Sequence, residues 1–337
     1  MQQTNSKSTF LKRVLLTTSA FAILGLGAAM PKFISPIAAA ATDAKSAQAA
    51  SSNLSLTQDG VTLKLGDVFY DGTRLSFSIE REGKNLPEGV TSPYMPINPK
   101  ETNEKFKKRM VPEKDQKKGY IKTPEVLVDG NKLKSIHSMF GDKVSQKNAV
   151  EAEYNQLGAL PDEFEMTIQV GVTGISKPFE FKVPVKKDGN MVSIKPNKTQ
   201  KSGKFSYTVK HLDITSHTTR LVLDSEGQVP VPASAKQTGK YAPSMMYYDI
   251  VDDQGKTLQQ RRVGFSNSKP KTKYHIDELY GAVGSKPQYV TIKPYTFTVD
   301  PSNWSIVGQG KGADGKFKNG NKTYIKELEM KIPVPAQ

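Results

Sequence analysis

The chain has 337 residues, room for two domains, with 36% hydrophobic residues and a formal net charge of +15. It contains no cysteine, which excludes disulfides, a thiol nucleophile, a cysteine-based zinc site and a lipidated cysteine. A pI near 9.5 draws a protein to polyanions: nucleic acid, anionic lipid or the phosphate polymers of a bacterial wall.

The N-terminus narrows that choice. Lys7, Lys12 and Arg13 precede a run over 14–30 with no charged side chain. A basic segment followed by an apolar one reads as a targeting signal, not as part of a fold. Ala38-Ala39-Ala40 and Ala47-Gln48-Ala49 follow as small-residue cleavage motifs, so a cleaved secretory signal and a retained membrane anchor are both open. Residues 41–53, rich in Ala, Ser and Gln, read as a flexible linker. Positive charge before the apolar run places the rest of the chain outside the cytoplasm. That argues against nucleic acid as a partner and for an anionic cell-wall polymer or a membrane surface.

Beyond residue 53 the composition is that of an all-β protein: short runs of Val, Ile, Thr, Tyr and Phe with Gly, Pro, Asn and Asp between them. The expected division is a signal or anchor with linker over 1–53, a first β-sandwich over 54–188 and a second, immunoglobulin-like β-sandwich over 189–337. The first opens on a hairpin. Val61, Leu63 and Leu65 alternate with polar residues, the apolar phase slips at Gly66 to Val68 and Tyr70, and Leu75, Phe77 and Ile79 return after Asp71-Gly72. The slip predicts a β-bulge and the Asp-Gly pair a turn. Pro87, Pro93, Pro96 and Pro99 then exclude a central strand. From 100 to 118 charge is dense. Lys105, Lys107, Lys108, Arg109, Lys114, Lys117 and Lys118 are the candidate contacts for an anionic partner, against the plainer reading of a solvated insertion. Phe106 and Tyr120 are too few for a stacking platform. A second hairpin is predicted over 125–138, turning at Asp129-Gly130-Asn131. A polar irregular connection then runs to Leu160-Pro161, followed by strands over 164–172 and 179–185. Lys186 to Asn190 marks the boundary.

The second half predicts strands over 205–214 and 219–223, then a hairpin over 245–263 turning at 252–256. A polar stretch over 266–287 admits a short helix at 276–280. A strand around Pro294, a Gly/Lys-rich loop over 311–322 and a closing strand over 324–334 complete it. Two repeats link the halves. Thr62, Lys64, Asp67, Thr73, Arg74, Leu75 and Glu80 recur at an offset of 146 as Thr208, Lys210, Asp213, Thr219, Arg220, Leu221 and Glu226. Phe179-Glu-Phe-Lys-Val-Pro-Val185 recurs at an offset of 149 as Leu328-Glu-Met-Lys-Ile-Pro-Val334, where the proline is expected to end sheet pairing. One repeat opens each half and the other closes it, which reads as tandem related domains.

No catalytic, cofactor-binding or metal-binding constellation is legible. The histidines, His137, His211, His217 and His275, lack ligand spacing. Asp249, Asp252 and Asp253 before Gly255 superficially suggest a calcium loop but lack its oxygen ligands and terminal Glu, so a hairpin turn is expected. Trp304, the single tryptophan, is expected to anchor a turn or core, not to form a sugar platform.

The pattern from Gly60-Val-Thr-Leu63 and Asp67-Val-Phe-Tyr-Asp-Gly-Thr-Arg-Leu75 to Leu160-Pro-Asp-Glu-Phe164, Gly174 and Phe179 to Val185 resembles a Gram-positive domain family of unknown function. That family typically forms the extracytoplasmic part of membrane proteins related to anti-sigma factors. Tyr247-Tyr-Asp-Ile-Val-Asp-Asp-Gln-Gly255 and Ile292-Lys-Pro-Tyr295 resemble the immunoglobulin-like domain that often follows it. Such proteins carry a cytoplasmic sigma-binding segment before the membrane helix. About 13 residues stand there in this chain, too few to fold. The resemblance implies no catalytic residues. The expectation is a non-enzymatic envelope protein acting as a binding or sensory ectodomain. The alternatives are a stand-alone partner of a membrane sigma/anti-sigma regulator, or a wall hydrolase.

Overall fold

The computed structural model describes residues 54–93, 111–231, 240–261, 269–284, 287–312, 317–320 and 322–335. The targeting segment, the linker and Lys105, Lys107, Lys108 and Arg109 lie outside the described residues. The described chain is nearly all β, with two short 3-10 turns, and no helix in it is long and apolar enough to cross a membrane.

The first half contains β1 (Ser55–Gln58), β2 (Val61–Tyr70), β3 (Arg74–Gly83), β4 (Glu125–Val128), β5 (Asn131–Lys132), β6 (Ser135–Asp142), β7 (Ala149–Leu157), β8 (Glu163–Val170) and β9 (Phe179–Lys186). They form two antiparallel sheets, ordered β1-β2-β3-β7-β6 and β5-β4-β8-β9. Alternate side chains of both sheets, such as Leu63, Phe77 and Val150 with Met166, Ile168 and Phe181, close one core. The slip at Gly66 is a register shift between Leu65 and Val68, so the expected bulge is present.

The second half contains β10 (Val192–Ile194), β11 (Lys198–Ser202), β12 (Phe205–Ile214), β13 (Thr218–Glu226), β14 (Ala242–Pro243), β15 (Tyr247–Asp252), β16 (Lys273–Gly281), β17 (Tyr289–Val299), β18 (Gln309–Lys311), β19 (Phe317–Asn319), β20 (Lys322–Tyr324) and β21 (Met330–Pro333). One sheet runs β10-β12-β13-β16 with β11 beside β12. The other centres on β17, flanked by β14 and β15 on one path and by β20 and β21. A second, separate core forms between them around Tyr207, Leu221, Ile250, Ile292 and Met330.

The two halves follow one plan in one chain order. Strands β2, β3 and β7 face β4, β8 and β9, just as β12, β13 and β16 face β15, β17 and β21. The structural equivalence does not run at the offset read from the identities. Tyr70 faces Leu75 across the first turn and Ile214 faces Thr219 across the second; Leu65 faces Ile79 and Val209 faces Leu223 before each bulge. The hairpins therefore superpose at an offset of 144. A shift of two residues keeps every side chain on its face, so both offsets satisfy the same inside–outside pattern.

Other expectations are corrected. The stretch over 139–160 is not an irregular connection, because β6 runs on to Asp142 and β7 is a central strand. The second hairpin returns for two residues only, and β6 then leaves to pair with β7 in the other sheet. The 276–280 helix is instead part of β16, bonded to β13 through nine successive pairs. After Thr257 and Leu258 the expected return strand of the 245–263 hairpin crosses to the edge of β16, where Gln260 bridges Tyr280. The 311–322 loop contains the small β18–β19 hairpin and the start of β20, and a 3-10 turn over Lys326–Leu328 breaks the closing strand. The repeated prolines differ: Pro184 does not end pairing, whereas Pro333 is the last residue of β21. Pro184 faces Glu165 and pairing continues through Lys186, and Pro333 faces Tyr289. Both lie on edge strands, where a missing N–H costs no ladder bond.

Pro294 lies in the middle of β17, opposite Tyr248. Its carbonyl accepts from Ile325 N at 2.9 Å, so its hydrogen-free nitrogen faces the same side. On that side β20 covers 295–297 and β21 covers 289–292. The proline occupies the gap between them.

Candidate binding surface

The described part of the basic segment is a short loop rooted on the first core. Lys114, Lys117 and Lys118 are exposed. Lys118 Nζ donates to the Asp59 carbonyl at 2.6 Å and Thr173 Oγ1 to the Lys117 carbonyl at 2.7 Å. Its root is a buried arginine. Arg81, 1% exposed, donates to the carbonyls of Pro87 (2.8 Å), Gly89 (3.1 Å) and Gly119 (2.7 Å). Burial lowers its guanidinium from the usual value, with Asp142 opposing. One side chain thus ties together the chain segments entering and leaving the insertion, a fork geometry that lysine cannot reproduce.

Charge is unequally divided. Residues 54–188 carry 21 Lys and Arg against 20 Asp and Glu, whereas 189–337 carry 22 against 12. Much of the second excess lines one sheet edge. Lys195, Lys198, Lys201 and Lys204 are all exposed along β10, β11 and the turn into β12, and none makes an ion pair with a described residue. The adjoining outer face of that sheet holds an open depression of about 600 Å³. Thr199, Ser206 and Thr208 supply hydroxyls there. Asp224 is taken up by His275 Nδ1 at 2.7 Å and Lys210 at 4.0 Å.

Several charged groups elsewhere are internally paired. Asp249, 3% exposed, accepts from Lys322 Nζ at 2.9 and 2.7 Å and from Tyr324 Oη at 2.6 Å. On the same sheet Tyr247 stacks on Tyr295 at 5.7 Å, and Phe297 stands edge-on to both at 5.6 and 5.5 Å. Burial and the Asp249 bond push the Tyr324 phenol up. Asp252 caps its own turn, accepting from Gln254 N and Lys256 N, so the acidic stretch is the hairpin turn expected. Trp304 sits in a turn at φ +59° and packs partly buried against the second core. Among the described residues no group of three His, Asp or Glu side chains is placed to hold a metal ion.

Sequence reasoning missed the junction between the halves. The turns of the two equivalent hairpins meet tip to tip. Asp71 Oδ1 accepts from Thr73 N, Thr73 Oγ1 and Arg74 N, each at 2.9 Å. Its Oδ2 faces Thr215 Oγ1 at 3.0 Å and Thr218 Oγ1 at 2.6 Å in the other half. Asp71, Thr73, Thr215 and Thr218 are all buried. Around them, Glu153 pairs with Arg74 (3.1 Å) and with Arg261 of the second half (2.8 Å). Arg220 grips Asp277 through two bonds and donates to the Leu157 carbonyl at 3.0 Å. His217 meets Asp188 at 2.8 Å and stands edge-on to Phe69. Burial alone would raise the Glu153 carboxyl, but Arg261, Arg74 and the Asn155 amide outweigh it and hold it below the usual range. The one available signal was Asp71 and Thr73 flanking a glycine, which also describes any surface turn.

Residues 191–334 match the model of DUF5643, a family of unknown function. No curated protein matches the chain. Among solved structures, the chain is similar to "the conserved domain protein from Bacillus anthracis", at 12% identity and a TM-score of 0.47, over 85% of this chain and 91% of that one.

Proposed function

We propose that this is a non-catalytic binding or sensory protein of the bacterial cell envelope, exported or anchored through residues 14–30, whose basic surface holds it to anionic wall polymer or to the membrane. The observation that carries the reading is the run of exposed lysines, free of ion pairs with described residues, on the half of the chain that holds 22 cations against 12 anions. Unpaired surface cations of this density attract polyanions over a Debye length. The basic and apolar N-terminal signature supplies the compartment. The test is fractionation of producing cells with N-terminal sequencing of the mature chain. The protein is expected in the envelope fraction, released by roughly 0.5–1 M salt if the tether is cleaved. Recovery in the cytosol with an intact N-terminus would sink the reading.

The resemblance to ectodomains of anti-sigma-like membrane proteins supports a second reading, a partner of a membrane regulator engaged through open sheet edges such as β6 or β9. Cross-linking in intact cells would return a membrane regulator under that reading and only wall material under the first.

A further inference from the structure

We infer that the β10–β11 edge of the second half, and not the 100–118 segment, is the docking site for a linear phosphate polymer. This rests on the envelope reading above and names its partner and place. Lys195, Lys198, Lys201 and Lys204 recur every third residue, about 10 Å apart where the chain is extended. A period of three against a strand's period of two sends successive side chains to opposite faces of the sheet. The edge itself is then the one line all four share. Flexible stems let the ammonium groups converge on that line. Single-file charge matches a chain of phosphates; a bilayer would be met by a two-dimensional basic face. The neighbouring depression adds Thr199, Ser206 and Thr208 hydroxyls, partners for a hydroxyl-bearing repeat between phosphates. Two acids also line it: Asp224, engaged by His275 and Lys210, and the exposed Glu226, so the depression suits the hydroxyl-bearing part of the repeat and the phosphates are left to the lysine line.

Edge lysines also serve to prevent sheet-to-sheet pairing. The fold contains its own control for that role. Strand β1 occupies the equivalent edge of the first half: Gln58 faces Val61 as Ser202 faces Phe205. Its sequence, Ser55-Leu-Thr-Gln58, has no charge. The position does not demand lysine.

The test uses the full chain in non-ionic detergent, with long-chain polyphosphate as the probe. K195E/K198E/K201E/K204E is compared with K84E/K134E/K147E/K177E, which changes net charge equally through exposed lysines of the first half. Glutamate keeps the edge charged, so protection against aggregation is retained. The edge variant is expected to bind at least about tenfold more weakly and to lower the slope of log K against log salt by about 2–3. The matched control is expected to change less than about threefold. Equal losses in both variants, or the loss appearing instead in K114E/K117E/K118E, overturn the placement and leave the envelope reading standing. Binding to phosphatidylglycerol vesicles over neutral ones, without binding to polyphosphate, overturns the polymer and keeps the membrane form of that reading. Binding to neither overturns both.

Discussion

The hydroxyls of Thr73 and Thr218 lie 2.6 Å apart, one from each half of the chain, with the Asp71 carboxylate beside both. The contact joins the equivalent turns of two similar units. It converts a turn that would otherwise face water into a buried polar junction, where each missing partner leaves a desolvated group behind.

Asp71→Ala should therefore destabilise the protein by about 3 kcal/mol or more, since it removes the acceptor of five donors at a dry site. Thr218→Val, similar in shape, should cost about 1–2 kcal/mol. The diagnostic readout is calorimetric. A single unfolding transition is expected for the parent chain, and Asp71→Ala should split it into two. Loss of stability in one half alone, without splitting, would contradict the coupling role.

Alkaline pH should weaken both halves, since burial also pushes up the Tyr207, Tyr248 and Tyr324 phenols of the second half. Burial, with Asp162 and Asp71 adding, pushes the Tyr70 phenol up to about 12, and burial pushes Tyr154 to about 12. An unfolded tyrosine titrates near 10. The buried neutral form thus contributes stability that is complete below about pH 10 and is lost as pH rises from 10 to 12, about 2–3 kcal/mol for Tyr70. Denaturant midpoints between pH 8 and 11.5 should fall in the parent and fall less steeply in Tyr70→Phe/Tyr154→Phe.

At the acid end the sign reverses. The folded Glu153 carboxyl is held below its usual range by Arg261, Arg74 and Asn155 against the opposing effect of burial. Its contribution is present above the unfolded value near 4.3 and is lost as pH falls through the lower folded value. Stability measured from pH 6 to 3 should drop, and Arg261→Ala should shrink that drop while lowering stability at pH 6.

Arg81→Met should cost about 3–5 kcal/mol, because three carbonyls lose their donor. Arg81→Lys should recover only part of it. Limited proteolysis should show new cleavage between residues 84 and 121 in both variants, ahead of global unfolding; unchanged cleavage would remove Arg81 as the root of the insertion.

Much of the architecture was legible because alternation is a local signal. The bulge at Gly66, the turn at Asp71-Gly72 and strands β8, β9 and β17 were all readable from period two. What escaped has physical causes. Strand β7 carries Glu151, Glu153, Asn155 and Gln156, and three of these are buried. Their partners Arg74, Arg261 and the Asp277 carbonyl come from distant parts of the chain. Polar residues satisfied by a tertiary contact look like loop in one dimension. Strand β16 failed differently: Ile276, Leu279 and Tyr280 have helical spacing, and nine ladder pairs to β13 overrode it. The repeat offset was misread because identities such as Arg74 and Arg220 fall on matching faces two residues out of step. The basic segment was conspicuous for its density. The lysine edge was not, because its regularity acquires meaning only once β11 is known to border a sheet.

Pro294 has one more consequence. On its side of β17, a strand sliding by one residue from either direction would bring a carbonyl opposite a nitrogen with no hydrogen to give. Strands β20 and β21 are thereby each confined to their own stretch, and register slippage at the C-terminal end of the molecule is blocked from within the ladder. The aromatic layer around Tyr295 and the closing strand are assembled as separate pieces on one rail, with the proline as the stop between them.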